Sequence, residues 1–316
     1  MYNLGIDIGG TKCAVILGND VKSVNVSDII KDKISFPTQV GRGWKAIVAD
    51  ILNCGDKLLE KHSLSRSDLK AVGISCGGPL DSKRGLIMCP PNLPDWDNVP
   101  ITKIVSDHFG CPSVVQNDAN ACAVAEWKFG AGRGLNNMIF LTFGTGMGAG
   151  LILDGKLYSG ANDLAGEVGH IRLADDGPEG YGKRGSFEGF CSGGGIRNLA
   201  LAMMEEAKKT GRQSVLFDLD SVSAKTVAIA AKQGDILAKE VYDESARRLG
   251  QALSLLIDII DPEAIVIGSI FTRDEQLFKD IAESVIKKES LSRNCRLLKA
   301  QLTENIGDIA ALGLVM

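Results

Sequence analysis

Two glycine-threonine turns, far apart in the chain, carry the residue types of an anion grip. Gly9-Gly10-Thr11-Lys12 separates the apolar runs Leu4–Ile8 and Cys13–Leu17, and Gly144-Thr145-Gly146 separates Met138–Phe143 from Met147–Leu153. Glycine opens backbone N–H groups to an anion because no Cβ stands in the way. Two such turns at the heads of similar hairpins suggest a polyphosphate gripped from two sides. Asp7 ends the first strand beside the first turn. A carboxylate there either caps the turn or holds Mg²⁺ through water, since that ion keeps several waters and few protein ligands.

A second set of residues could handle hydroxyl groups. Asn117-Asp118-Ala119-Asn120 lies where the apolar strand Ser113–Gln116 meets a helix. Ligands of open α/β sheets gather at the carboxyl ends of strands. Asp118 there fits either a general base that takes a hydroxyl proton or an ordinary N-cap. Ala165-Gly166-Glu167-Val168-Gly169-His170 places an acid and an imidazole three residues apart, with Glu188 downstream. Such groups both accept and donate hydrogen bonds and suit vicinal hydroxyls, although a lone histidine is more often structural.

The elements that must position these groups follow from periodicity. Residues 3–17 read as a β-hairpin. Trp44, Ile47, Val48, Ile51 and Leu52 recur at helical spacing and predict a helix over 43–62. A strand over 69–75 runs into Cys76-Gly77-Gly78-Pro79. Four prolines within 89–100 predict an irregular loop. The pattern then restarts near residue 137: a hairpin over 137–153, a strand around 167–172, a helix from Ser192 to Lys209, and a long helix over 235–260. That helix has Leu249, Ala252, Leu253, Leu256, Ile259 and Ile260 as its apolar face. The strand Ala264–Ile267, a helix near 274–288, a strand near 296–302 and a final helix from Asp308 complete the chain. The halves are therefore similar βα units, an internal pseudo-repeat, and imply two α/β lobes with mixed sheets and a cleft between them.

Composition narrows the functional classes. The chain has 316 residues, enough for two domains, with 45% hydrophobic and 23% charged residues. A net charge of -4 argues against a basic nucleic-acid surface. No apolar run reaches the length of a membrane span, and the strand-like start predicts no secretory signal. Eight scattered cysteines without a C-x-x-C pair fit reduced thiols and a cytoplasmic protein. Gly177-Pro178-Glu179-Gly180-Tyr181-Gly182-Lys183 approaches a P-loop, but Arg184 stands where Ser or Thr must ligate Mg²⁺. The glycines from 144 to 150 do not spell a dinucleotide fingerprint, and H-E-x-x-H is absent.

Taken together, these segments resemble the ROK family (repressors, open reading frames and sugar kinases) of the actin-like ATPase superfamily, whose lobes are ribonuclease H-like. Gly5–Lys12 is similar to its first phosphate motif, Asn117–Ala121 to the stretch with its catalytic aspartate, and Phe143–Gly150 to its second phosphate motif. Ala165–His170 resembles its sugar-binding segment, Ile265–Ser269 its adenosine-side strand and turn, and Asp308–Gly313 its closing helix. The resemblance runs from residue 4 to 313. It implies ATP-dependent phosphorylation of a hexose hydroxyl, glucose first, with N-acylhexosamines or fructose as alternatives. Asp118 is then the base. Gly78, Asn92, Asn117, Asp118, Glu167, His170 and Glu188 hold the sugar. Asp7 positions Mg²⁺. Gly9, Gly10, Thr11, Lys12, Gly144, Thr145 and Gly146 line the phosphates, with Gly268 near the adenosine. Two lobes are expected at 1–117, joined by the last helix 304–316, and at 118–303. The family often forms homodimers.

One departure stands out. Much of this family carries C-x-C-G-x-x-G-C-x-E after the histidine, three cysteines that bind a structural zinc with it. Here Glu179, Tyr181 and Ser186 occupy those positions. A zinc site needs about four N or S ligands, and only His170 remains, so no structural zinc is expected. Packing and hydrogen bonds, through Tyr181 and Phe187, must order the loop instead. A sugar-responsive transcription regulator is the reading from another class. It needs an added helix-turn-helix, for which a phosphate hairpin starting at residue 4 leaves no room.

Overall fold

The computed structural model describes residues 1–21, 23–292 and 294–316. The chain divides into two compact units: residues 1–136, 150–166 and 301–316 form the first, and 137–149 with 167–300 the second. Whereas the sequence placed the first boundary at residue 117, the first unit runs on to Asn136.

A five-stranded sheet organises the first unit: β1 (Tyr2–Ile8), β2 (Lys12–Asn19), β3 (Ile30–Pro37), β4 (Leu69–Cys76) and β5 (Ser113–Asn117), in the order β3-β2-β1-β4-β5. The first three strands are antiparallel neighbours, and β4 pairs parallel to both β1 and β5. Side chains of β2 alternate between two cores, as strand geometry requires. Cys13, Val15 and Leu17 join a cluster with residues of α1 (Trp44–Lys61) and α2 (Ile101–Phe109). Ala14 and Ile16 join one with α3 (Asp118–Phe129) and the last helix, Ile306–Gly313.

The last helix lies close on the sheet because glycines face it. A Cβ on Gly73 would sit 1.9 Å from the Ala311 carbonyl oxygen, and one on Gly18 would meet Leu312 at 2.7 Å. Backbone cannot yield as a flexible side chain does. Gly73→Ala should therefore displace the helix and cost about 1–3 kcal/mol, the usual range for overpacking. Chemical denaturation checks this; an unchanged midpoint would mean that the close approach has no energetic weight.

The second five-stranded sheet repeats the pattern: β6 (Met138–Phe143), β7 (Met147–Leu153), β8 (Lys156–Tyr158), β9 (Ala264–Ile267) and β10 (Arg296–Lys299), in the order β8-β7-β6-β9-β10. Strand β9 pairs parallel to β6 and β10, and all four of its residues are buried. Burial on both faces explains its unbroken apolar run. In the second unit, the short helix Phe187–Cys191 is followed by α4 (Gly193–Lys209), α5 (Ala224–Lys232), α6 (Ile236–Ile260), α7 (Ile270–Asp274) and α8 (Lys279–Glu289); the last helix of the chain is α9.

Three expectations need correction. The strand expected around 167–172 is a 3-10 turn over Val168–His170, because Gly166 has a φ of 94° and Gly169 packs under the Met147 carbonyl. On α6, Leu249, Ala252, Leu253 and Leu256 are buried, but Ile259, on the face of Ala252 seven residues later, is 73% exposed in the last turn of the helix. The strand near 296–302 ends at Lys299, and 3-10 structure over Thr303–Asn305 follows. All eight cysteines are unbonded. Among the described residues, no helix is long and apolar enough to cross a membrane.

Candidate active site

In the first unit, the candidate residues collect at the carboxyl ends of the parallel strands. Asp7 on β1 stands in register with Ser75, and Cys76 with Asn117 on β5. The turn after β1 is tight: Gly9 N–H donates to the Lys12 carbonyl at 3.1 Å, and the Thr38 hydroxyl donates to the Gly9 carbonyl at 2.6 Å. Asn92 lies on this turn, since a Cβ on Gly10 would be 2.6 Å from its carbonyl oxygen. A Cβ on Gly78 would be 3.2 Å from the Asn117 amide nitrogen. The structure thus brings Gly10 to Asn92 and Gly78 to Asn117, pairs that are distant in sequence.

Asn117 caps α3, its side-chain oxygen accepting from Ala119 N–H at 2.9 Å. Asp118 also accepts from Ala119 N–H, at 2.8 Å, and has no cation partner among the described residues. The capping task therefore has a second residue to perform it, which leaves Asp118 available for chemistry. The residue is exposed, but partial loss of water around its carboxyl raises its pKa, with the Ala119 amide opposing.

Asp7 is withdrawn from water, which lifts its carboxyl to about 6; the charges of Asp118 and Asp308 push in the same direction, while Lys12 and Lys33 oppose. Asp308 is itself bound to Lys33 at 2.6 Å. A carboxylate crowded by like charge is chemistry that a hard divalent cation relieves. Among the described residues, no three His, Cys, Asp or Glu side chains converge on one point as a metal cluster.

In the second unit, the second glycine turn meets the start of a helix. At the β6–β7 turn, Gly144 N–H donates to the Gly146 carbonyl at 3.2 Å, and Gly193 N–H, opening α4, donates to the Gly144 carbonyl at 2.7 Å. Turn and helix N-terminus are thus joined, and helix N-termini favour anions. A cavity of about 890 Å³ opens beside them, lined by Gly144, Thr145, Gly194, Arg197, Lys225 and Arg273 among others. Gly268 does not line it; its N–H continues the strand pairing to Leu141, and the next residues, Ser269 and Ile270, face the cavity instead. The cationic lining escaped the sequence reading. Its one legible signal was Arg197, a turn into a helix that starts with three glycines.

Glu188 braces the second turn, with Oε2 accepting from Met147 N–H at 3.0 Å. Glu167 is exposed and precedes the 3-10 turn that carries His170. The His170 ring meets the Tyr181 ring edge-on at 5.1 Å, and its carbonyl accepts from Lys183 Nζ at 2.7 Å. Glu179–Gly180 and Lys183–Arg184 form a short hairpin, Arg184 pairs with Asp176 at 2.6 Å, and Ser186 caps the helix Phe187–Cys191. Phe187 is fully buried, whereas Tyr181 is 64% exposed, so of the two aromatic residues Phe187 is the one that anchors the loop by packing. Gly73-Ile74-Ser75-Cys76-Gly77 spells the G-x-S-x-G of a nucleophile elbow, but Ser75 is 2% exposed inside β4 and not on an open turn.

The ROK family profile matches residues 3–316. The chain belongs to the ROK family. This ROK protein is 33% identical over 316 residues to a glucokinase of Streptomyces coelicolor, covering 98% of the chain and 94% of the relative. A crystal structure of a ROK family glucokinase from Streptomyces griseus, in complex with glucose and AMPPNP, superposes with a TM-score of 0.75 at 31% identity and covers 99% of each chain. A xylose repressor of Caldicellulosiruptor bescii is 28% identical over 317 residues, covering 99% of this chain and 76% of the repressor.

Proposed function

We propose that this ROK protein is an ATP-dependent kinase that phosphorylates a hexose hydroxyl, with glucose as the acceptor and glucose 6-phosphate as the product. The observation that carries the reading is Asp118: a carboxylate at the strand ends, beside a separate capping residue and without a cation partner among the described residues. Its role is to take the proton from the attacking sugar hydroxyl. Gly78, Asn92, Asn117, Glu167, His170 and Glu188 are the proposed sugar contacts. Gly9, Gly10, Thr11, Lys12, Gly144, Thr145 and Gly146 are proposed to line the nucleotide phosphates. Ser269 replaces Gly268 as the proposed adenosine-side contact. Asp7 would hold Mg²⁺ through water; when bound, the ion neutralises charge on the phosphate oxygens. Phosphoryl transfer asks for positioning and charge stabilisation more than for covalent chemistry from the protein. Eight free thiols fit a reducing, cytoplasmic setting.

A hexose panel with ATP and Mg²⁺ tests the reading. Glucose should exceed N-acetylglucosamine, N-acetylmannosamine, fructose and allose in kcat/KM by about tenfold or more, the discrimination that a few pocket contacts provide. Absence of sugar-dependent ADP release with every member of the panel would overturn it. The repressor relative motivates a second reading, sugar-responsive DNA binding. Tight, sequence-specific binding in low salt would favour that reading instead.

A further inference from the structure

Glu126 is a carboxylate with no exposed surface, two turns along α3 from Asp118. A buried acid ordinarily sits against a cation. This one is instead satisfied by main chain. Its Oε2 accepts from Ala131 N–H at 2.8 Å and its Oε1 from Leu302 N–H at 2.8 Å. Its own carbonyl accepts from Gly130 at 3.0 Å and from Gly132 at 2.9 Å. A Cβ on Gly130 would lie 2.0 Å from Oε2, so the turn closes over the acid only with glycine there.

The next two side chains extend the same device. Trp127 Nε1 donates to the Leu135 carbonyl at 2.8 Å, and Lys128 Nζ donates to the carbonyls of Gly313 and Met316 at 2.9 and 2.6 Å. All of these groups belong to the first unit. Their place in the chain gives them meaning. The chain first leaves that unit after Asn136 and finally returns at Gln301. The exit turn and the re-entry segment are therefore fastened to one residue, on the helix whose first residue is Asp118.

We propose that Glu126 is a positioning residue for phosphoryl transfer, its carboxylate locking both chain passages to the helix that presents the base, so that base and passages move as one body. The proposal rests on the reading of Asp118 as that base. Small misplacements of a reacting group are costly in rate. Glu126→Gln keeps the volume and one acceptor but turns an NH₂ group toward the other N–H. Turnover per folded molecule should fall about tenfold or more, while sugar and nucleotide dissociation constants stay within about threefold of wild type. A purely structural residue would lower the unfolding midpoint and leave kcat unchanged, and that result overturns the proposal.

Asp118→Asn is measured in parallel. If that variant turns over at the wild-type rate, the base reading fails; if it is inactive while Glu126→Gln is fully active, only the clamp fails. Amide exchange of the unaltered protein gives a check that needs no variant. The Ala131 and Leu302 amides, though outside helices, should exchange as slowly as the interior of α3. Exchange at the rate of open loop amides overturns the clamp.

Discussion

Asp118→Asn should lower kcat by about 10²–10⁴, the usual contribution of a positioned general base, while glucose and ATP still bind. The asparagine keeps the size of the side chain and an oxygen able to accept from Ala119 N–H. That amide also donates to Asn117, so the start of α3 should survive the change. The lost property is proton acceptance. Desolvation raises the Asp118 pKa, which brings a carboxylate nearer to the pH at which a base is most effective. Wild-type kcat should accordingly climb with pH as Asp118 gives up its proton, and the variant should lose that limb. Binding titrations beside steady-state kinetics separate affinity from turnover. A variant with near-normal kcat would remove Asp118 from the chemistry.

Much of this arrangement was legible from residue order, for physical reasons. The two glycine turns declare themselves because each interrupts a pair of apolar runs, and the two sheets repeat one strand order, β3-β2-β1-β4-β5 and β8-β7-β6-β9-β10. Asn117 and Asp118 were legible because a strand-to-helix junction needs a cap, but which residue caps is a matter of geometry. Other features depend on long-range contact and leave no local trace. Nothing near Gly10 announces Asn92, and nothing near Glu126 announces Leu302. The 3-10 turn over Val168–His170 was misread as strand because Gly166 and Gly169 act through backbone conformation and close approach, which hydrophobic alternation does not report. Ile259 was misplaced because it keeps the helical spacing of Ala252 and Leu256 but lies in the last turn of α6, and periodicity reports a face without reporting where the cover over that face ends.

Asp7→Asn should stabilise the metal-free protein at neutral pH while abolishing most of its turnover. The wild-type carboxyl is lifted from 3.8 to about 6, first by burial and then by the charges of Asp118 and Asp308. An acid whose folded pKa is raised keeps its proton in the native state over a range in which the unfolded chain has released it. Its stabilising contribution is complete below about pH 4 and is lost as pH rises through about 6. Across that window the wild type should lose about 3 kcal/mol relative to the asparagine variant, taking 1.36 kcal/mol per unit. Denaturant unfolding in chelator, at about pH 4 and about pH 7.5, measures the difference directly. The gap should be near zero at the acid end and open in favour of the variant at the neutral end. A divalent cation held near Asp7 should narrow the gap again, because it stabilises the ionised form. Turnover answers the other half of the question, since the neutral amide supplies no charge to hold the ion. A variant less stable than wild type at both pH values would show that Asp7 is a structural cap, and the crowding of acids at the end of β1 would need another explanation.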